Sequence, residues 1–174
     1  MNFSIRKKTL FELGGFHPDC IPKHLQRFQG DGETGLAMKI KEKGYKAIYQ
    51  PRSLIYHAIP SERMTISYFE ERMFYQGVCD SFGEIRRKAG LCEDKDLASL
   101  GNSSYGEESF LVKFVIVLKA IVNKLFNVKF KKIRERLNQA YTEGYQFHQN
   151  EVQNDPKLLQ WVLKKDFFDY RLPE

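Results

Sequence analysis

At 174 residues, the chain is long enough for one ordinary domain or a piece of a larger one. Its 42% hydrophobic and 14% aromatic content excludes a disordered chain, and three cysteines without CxxC-type spacing exclude a disulfide framework or a zinc site. The formal charge of +6 admits nucleic acid, anionic lipid or a phosphate-bearing ligand, but the excess is concentrated between Lys124 and Arg136 and does not form a uniform basic face.

In chain order, residues 5–13 read as a short helix that stops at Gly14-Gly15, where a left-handed C-cap favours glycine. His17-Pro18-Asp19 is a turn, and residues 20–29, with Pro22 and no clean periodicity, are a loop with room for one helical turn. Gly30 to Gly35 is a glycine-rich turn carrying Asp31 and Glu33, and it opens a helix that Gly44 ends. Residues 46–50 and 53–57 read as two short strands around Pro51. A long helix is expected over about 62–89, with Phe69, Met73, Phe74 and Val78 at helical spacing.

Residues 90–107 mix Gly, Ser, Asn and acids and read as a linker or mobile loop. From Phe110 to Val122 an apolar helix is broken by Lys113 and Lys119, too short and too charged to cross a bilayer. Beside the basic run it reads either as a bundle helix or as a segment lying on an anionic membrane surface. Residues 129–152 continue as an amphipathic helix with Ile133, Leu137 and Tyr141 on one side. Asp155-Pro156 caps a last helix over 157–165, in which Trp161 is a core residue. His17, His24 and His148 have no partner pattern and are expected at the surface.

The acidic turn has two readings as residues alone. Carboxylates at a helix start can simply cap free N–H groups, or they can hold an ionised acid at the mouth of a pocket. Asp31-Gly32-Glu33 is not a metal-binding Asp-x-Asp, because His24-Leu25-Gln26-Arg27-Phe28-Gln29 before it is not an apolar strand.

Three features in order carry a resemblance: Asn2 through Gly14-Gly15-Phe16, then Gly32-Glu33-Thr34-Gly35-Leu36 opening a helix, then Gly44-Tyr45 through Tyr49-Gln50-Pro51 to His57. Together they resemble the C-terminal half of the GT-A catalytic domain in family 2 glycosyltransferases, over roughly residues 1–89. The resemblance implies an α+β fold, a partial GT-A domain with few short strands, followed by a linker at 90–107 and a mostly helical extension over 108–174. It implies transfer of a sugar from a nucleotide-sugar donor to an acceptor hydroxyl with inversion. Glu33 would be the general base, with Asp31 as the fallback; Gly32 stands where the family has a first acid. His57 matches a histidine that helps hold a diphosphate-bound Mn²⁺ or Mg²⁺, and Arg63 or Arg72 could add positive charge to that diphosphate.

The family's donor half, with its Asp-x-Asp, would come before Asn2, where only Met1 stands. The resemblance therefore implies an acceptor-side half, inactive alone or active with a donor-half partner or as an oligomer. The expected setting is cytoplasmic, with peripheral contact at the inner membrane face. The alternative is a non-catalytic helical interaction or membrane-surface module. Nucleic acid is disfavoured, because no recognition motif accompanies the basic run.

Overall fold

A computed structural model describes residues 3–91, 110–169 and 171–173, the side chains of 110–129 excepted. The helices are α1 (Lys7–Glu12), α2 (Glu33–Glu42), α3 (Ile66–Lys88), α4 (Phe110–Asn154) and α5 (Pro156–Val162), with 3-10 turns at Lys23–Phe28 and Ser61–Met64. The expected linker lies outside the described residues beyond Leu91.

The expected α+β character is contradicted: among the described residues there is no strand. Residues 46–50 and 53–57 are non-helical and make no ladder. They form an exposed arm in which Ile48 is 88% and Tyr56 101% accessible. Strand-forming side chains are not enough for a strand; neighbouring backbone must take the N–H and C=O groups, and no described element offers an edge. The protein is mostly α-helical.

Two other expectations change at the element level. The helices expected at 110–122 and 129–152 are one 45-residue helix, α4. Nothing between them breaks it, since residues 123–128 hold neither Gly nor Pro. The long helix expected from 62 begins instead at Ile66, after a 3-10 turn, where Thr65 accepts a hydrogen bond from the Tyr68 amide and so caps α3.

α3 and α4 are the frame. Arg136 meets Glu70, Tyr141 meets Asp80 and His148 meets Ser81, so the two helices run in the same direction side by side. Their close crossing depends on Gly77 and Gly144: a Cβ on Gly77 would overlap the Tyr141 carbonyl, and one on Gly144 the Phe74 carbonyl. Ser81 and His148 are fully buried at this seam, 2.7 Å apart, and Gln149 donates to the Ser81 hydroxyl at 3.1 Å.

The core gathers at the C-terminal end of α3. Phe28, Phe82, Val152, Leu158, Trp161, Val162 and Phe167 pack together, so residues from both expected parts, 1–89 and 108–174, share one core. Trp161 is buried as expected, and its indole N–H donates to the Phe28 carbonyl at 3.1 Å. Asp155 caps α5 through the amides of Lys157 and Leu158, with Pro156 in the first turn, also as expected. Arg86 is buried and donates to the carbonyls of Val162 and Lys164 at 2.6 and 2.7 Å, which satisfies the end of α5.

The Gly14-Gly15 stop after α1 is present: the amides of Leu13, Gly14 and Gly15 return to the carbonyls of Thr9, Phe11 and Leu10. The same turn is tied to the C-terminal tail, where the Phe167 amide donates to the Gly14 carbonyl at 3.1 Å. Phe11 stacks on Phe168 with centroids 4.8 Å apart.

Candidate functional site

An open basin of about 940 Å³ lies between the 19–34 segment and the faces of α3 and α4. The first segment supplies Asp19, Gln29, Asp31 and Glu33; α3 supplies Arg72, Tyr75, Gln76, Asp80 and Glu84; α4 supplies Tyr141 and Tyr145. Five carboxylates face two guanidiniums, those of Arg72 and Arg87, so the basin is acidic.

Local hydrogen bonds explain why Asp31 is fixed. Gln29 is buried; its amide donates to the Asp19 carboxylate at 2.8 Å and its oxygen accepts from the Ile21 amide at 3.1 Å. The Gly30 amide donates to the Pro18 carbonyl at 2.8 Å. These contacts clasp the 17–21 turn to residues 29–31 and bring the His17 ring to Asp31. His17 Nδ1 meets Asp31 Oδ1 in a pair whose side chains are 5% and 10% exposed. Gly35 makes room for this pair, since a Cβ there would overlap both His17 Nδ1 and Asp31 Oδ1. The His17 ring also packs edge-on against Phe82 and Phe167, 5.3 and 5.4 Å between centroids.

His17 and His148 are therefore not surface residues. His17 is 4% exposed and His148 is fully buried, one held by Asp31 and the other by Ser81. No spacing marks either partner, because 14 and 67 residues separate the members of each pair. Burial lowers the His17 pKa, against the raising effect of the Asp31 hydrogen bond and charge. Burial lowers His148 to about 4. The neutral ring is thus the resting form of both.

Elsewhere in the basin, burial pushes the Cys79 thiol up to about 12, and its sulfur lies 3.0 Å from the Gly30 carbonyl. Such a thiol is not a nucleophile at neutral pH. Tyr141 is raised to about 12 by burial and by its 2.8 Å bond to Asp80. Tyr145 is raised by its hydrogen bond to Glu84, which is itself lowered first by Lys88 and then by Tyr145.

The residues singled out in sequence divide into two groups. Asp31, Glu33 and Arg72 share the basin, whereas His57 and Arg63 do not line it. Glu33 is exposed at the first position of α2 and its side chain does not cap the helix; Gly32, at φ 53°, holds the N-cap position. His57 is on the exposed arm, and Arg63 lies over the Tyr68 ring at 6.0 Å. Among the described residues no group of three His, Cys, Asp or Glu side chains is placed to hold a metal ion. His57 does not fit the expected Mn²⁺ or Mg²⁺, because a lone exposed imidazole lacks the further ligands a hard cation needs.

Of the basic run, Arg136 donates from Nε and Nη2 to the two carboxylate oxygens of Glu70, at 2.7 and 2.9 Å, and Lys131 is 3.9 Å from Glu135. Lys124 and Lys129 lie outside the described side chains. No described helix is long and apolar enough to cross a membrane. No protein-family model, curated protein or solved structure matches the chain.

Proposed function

We propose that this chain supplies the acceptor side of a sugar-transfer site, with Asp31 as the general base. One observation carries the reading: an acid held by a buried histidine at the wall of an open basin of about 940 Å³. A base must be fixed within hydrogen-bond reach of the proton it takes, and Asp31 is fixed while Glu33 is exposed at the helix start. An ionised carboxylate only accepts, so His17 Nδ1 carries the shared proton and leaves the second carboxylate oxygen for the acceptor hydroxyl.

The basin suits a neutral polyhydroxylated acceptor. Carboxylates, the Gln76 amide and the Tyr75 ring offer acceptors, donors and a flat apolar surface to a sugar ring. The same carboxylates repel a diphosphate, and Arg72 is among them, so the nucleotide-sugar would be held elsewhere. Free thiols at Cys20 and Cys79 suit a cytoplasmic setting.

The test combines binding and turnover. Neutral oligosaccharides should move the NMR signals of Asp31, Tyr75 and Tyr141, while nucleoside diphosphates alone should not. With a nucleotide-sugar panel and mass-spectrometric detection, Asp31→Asn should lower transfer by about 10²–10⁴-fold with acceptor binding retained. Transfer that survives Asp31→Asn but not Glu33→Gln would reverse the assignment, and sugars that leave every basin signal in place would end it.

A further inference from the structure

A second, small space also touches Asp31. It measures about 20 Å³, room for one water molecule, and His17, Lys39, Arg86 and Arg87 line it with Asp31. Two of its lining residues each carry a buried polar atom with no hydrogen-bond partner, His17 at Nε2 and Lys39 at Nζ. A buried polar group without a partner is costly, so two of them lining one water-sized space call for an occupant.

Their chemistry is complementary only through an intermediary that both accepts and donates. The Lys39 ammonium has donors and no acceptor. Where Asp31 is ionised, Nδ1 of His17 must donate to it, and the neutral ring then presents a lone pair at Nε2. We propose that one water molecule fills this space, accepting from Lys39 Nζ and donating to His17 Nε2, and that Lys39 is thereby a positioning residue for Asp31. Lys39, Arg86 and Arg87 also line the space, so a small halide is the competing occupant; a halide can accept from Lys39 but offers no hydrogen to a bare His17 Nε2.

The consequence concerns the tautomer. A donor at Nε2 fixes the His17 proton on Nδ1, the form that pairs with ionised Asp31. Without that donor the alternative arrangement becomes accessible: the pair takes up one proton from solvent, so that a protonated Asp31 donates to Nδ1 while the ring keeps its own hydrogen on Nε2. A protonated Asp31 cannot take a proton from an acceptor. The charged groups facing His17 are Asp31, Lys39 and Arg86, and the two cations oppose its protonation while Asp31 favours it. Burial brings the Lys39 pKa down to about 8, so it remains mostly charged at neutral pH.

The word base rests on the function proposed above; the hydrogen-bonded chain does not, and its test needs no turnover. In the full-length protein labelled with ¹⁵N-histidine, long-range NMR at neutral pH should show His17 protonated at Nδ1 and bare at Nε2. Crystallographic density should show one water within hydrogen-bond distance of both Lys39 Nζ and His17 Nε2. In Lys39→Met, which keeps the buried stem, the His17 population should shift toward the Nε2–H form. Native protein with hydrogen on Nε2, an empty space, or a halide revealed by bromide soaking would each overturn the proposal, as would an unchanged tautomer in a folded Lys39→Met. These native-protein measurements stand even where the variant does not fold. Sugars that leave every basin signal in place would remove the proposed function and leave the water bridge intact.

Discussion

Gly35 is the residue on which the candidate site most directly depends, because His17 and Asp31 meet in the space its missing side chain leaves. Gly35→Ala should separate the pair and cost about 1–3 kcal/mol, the usual range for overpacking a filled interior. Urea unfolding read with the His17 NMR signals would check both parts; a variant as stable as the parent with the pair intact would contradict the packing. The two buried histidines set the acid limit. The unfolded chain protonates them near 6.5, and the folded chain resists until lower pH, about 4 for His148. Below 6.5 the unfolded state therefore binds more protons, and stability falls with pH until the folded values are reached. His148 alone should account for about 3 kcal/mol of loss between pH 6.5 and 4. His17 adds in the same direction. Chemical denaturation at pH 7 and pH 4.5 measures it, and His148→Gln should flatten the profile. In the sequence, the acidic turn was legible from Gly30, Asp31 and Glu33. The burial that separates Asp31 from Glu33 was not, since it comes from His17 and from Phe82 and Phe167 far along the chain.

At the scale of elements, α3 and α4 hold the molecule together through a contact in which backbone meets backbone. Gly144→Ala should force the helices apart and lower stability by about 3 kcal/mol or more, visible as an early thermal transition. The Arg136–Glu70 pair crosses the same seam with better geometry than most, yet it is exposed. Its removal by Arg136→Met should cost no more than about 1 kcal/mol and should cost less still in high salt. Helix starts and stops were legible where their chemistry is local: Asp155-Pro156, Gly14-Gly15 and Gly44 all act as expected. No strand forms at 46–50 or 53–57, because side-chain preference is local whereas pairing is not. The unbroken course of α4 through 123–128 follows from the lack of Gly or Pro there, whereas no single residue marks its full length.

At the scale of the whole molecule, the N-terminal third is attached to the helical frame by side-chain and backbone contacts more than by chain continuity. Phe28 packs on Trp161, Gly14 is bonded to Phe167, and His17 rests on Phe82. The arm that follows α2 adds nothing to the shared core, and its backbone amides should exchange hydrogen far faster than those of α3 or α5. Composition indicated a globular chain, but which segments share the core depended on contacts between residues more than a hundred positions apart, as with Phe28 and Trp161. The arm has a further consequence for the integrity of the chain. Arg52 sits at its exposed turn, where a protease finds extended backbone and little to unfold. Among the described residues, brief trypsin treatment should cut there first, and the pieces on either side should still elute together under native conditions while separating in denaturant. The covalent link at the arm would then be dispensable, and two separately expressed fragments split at residue 52 should reassemble the basin, with Asp31 on one and Tyr141 on the other.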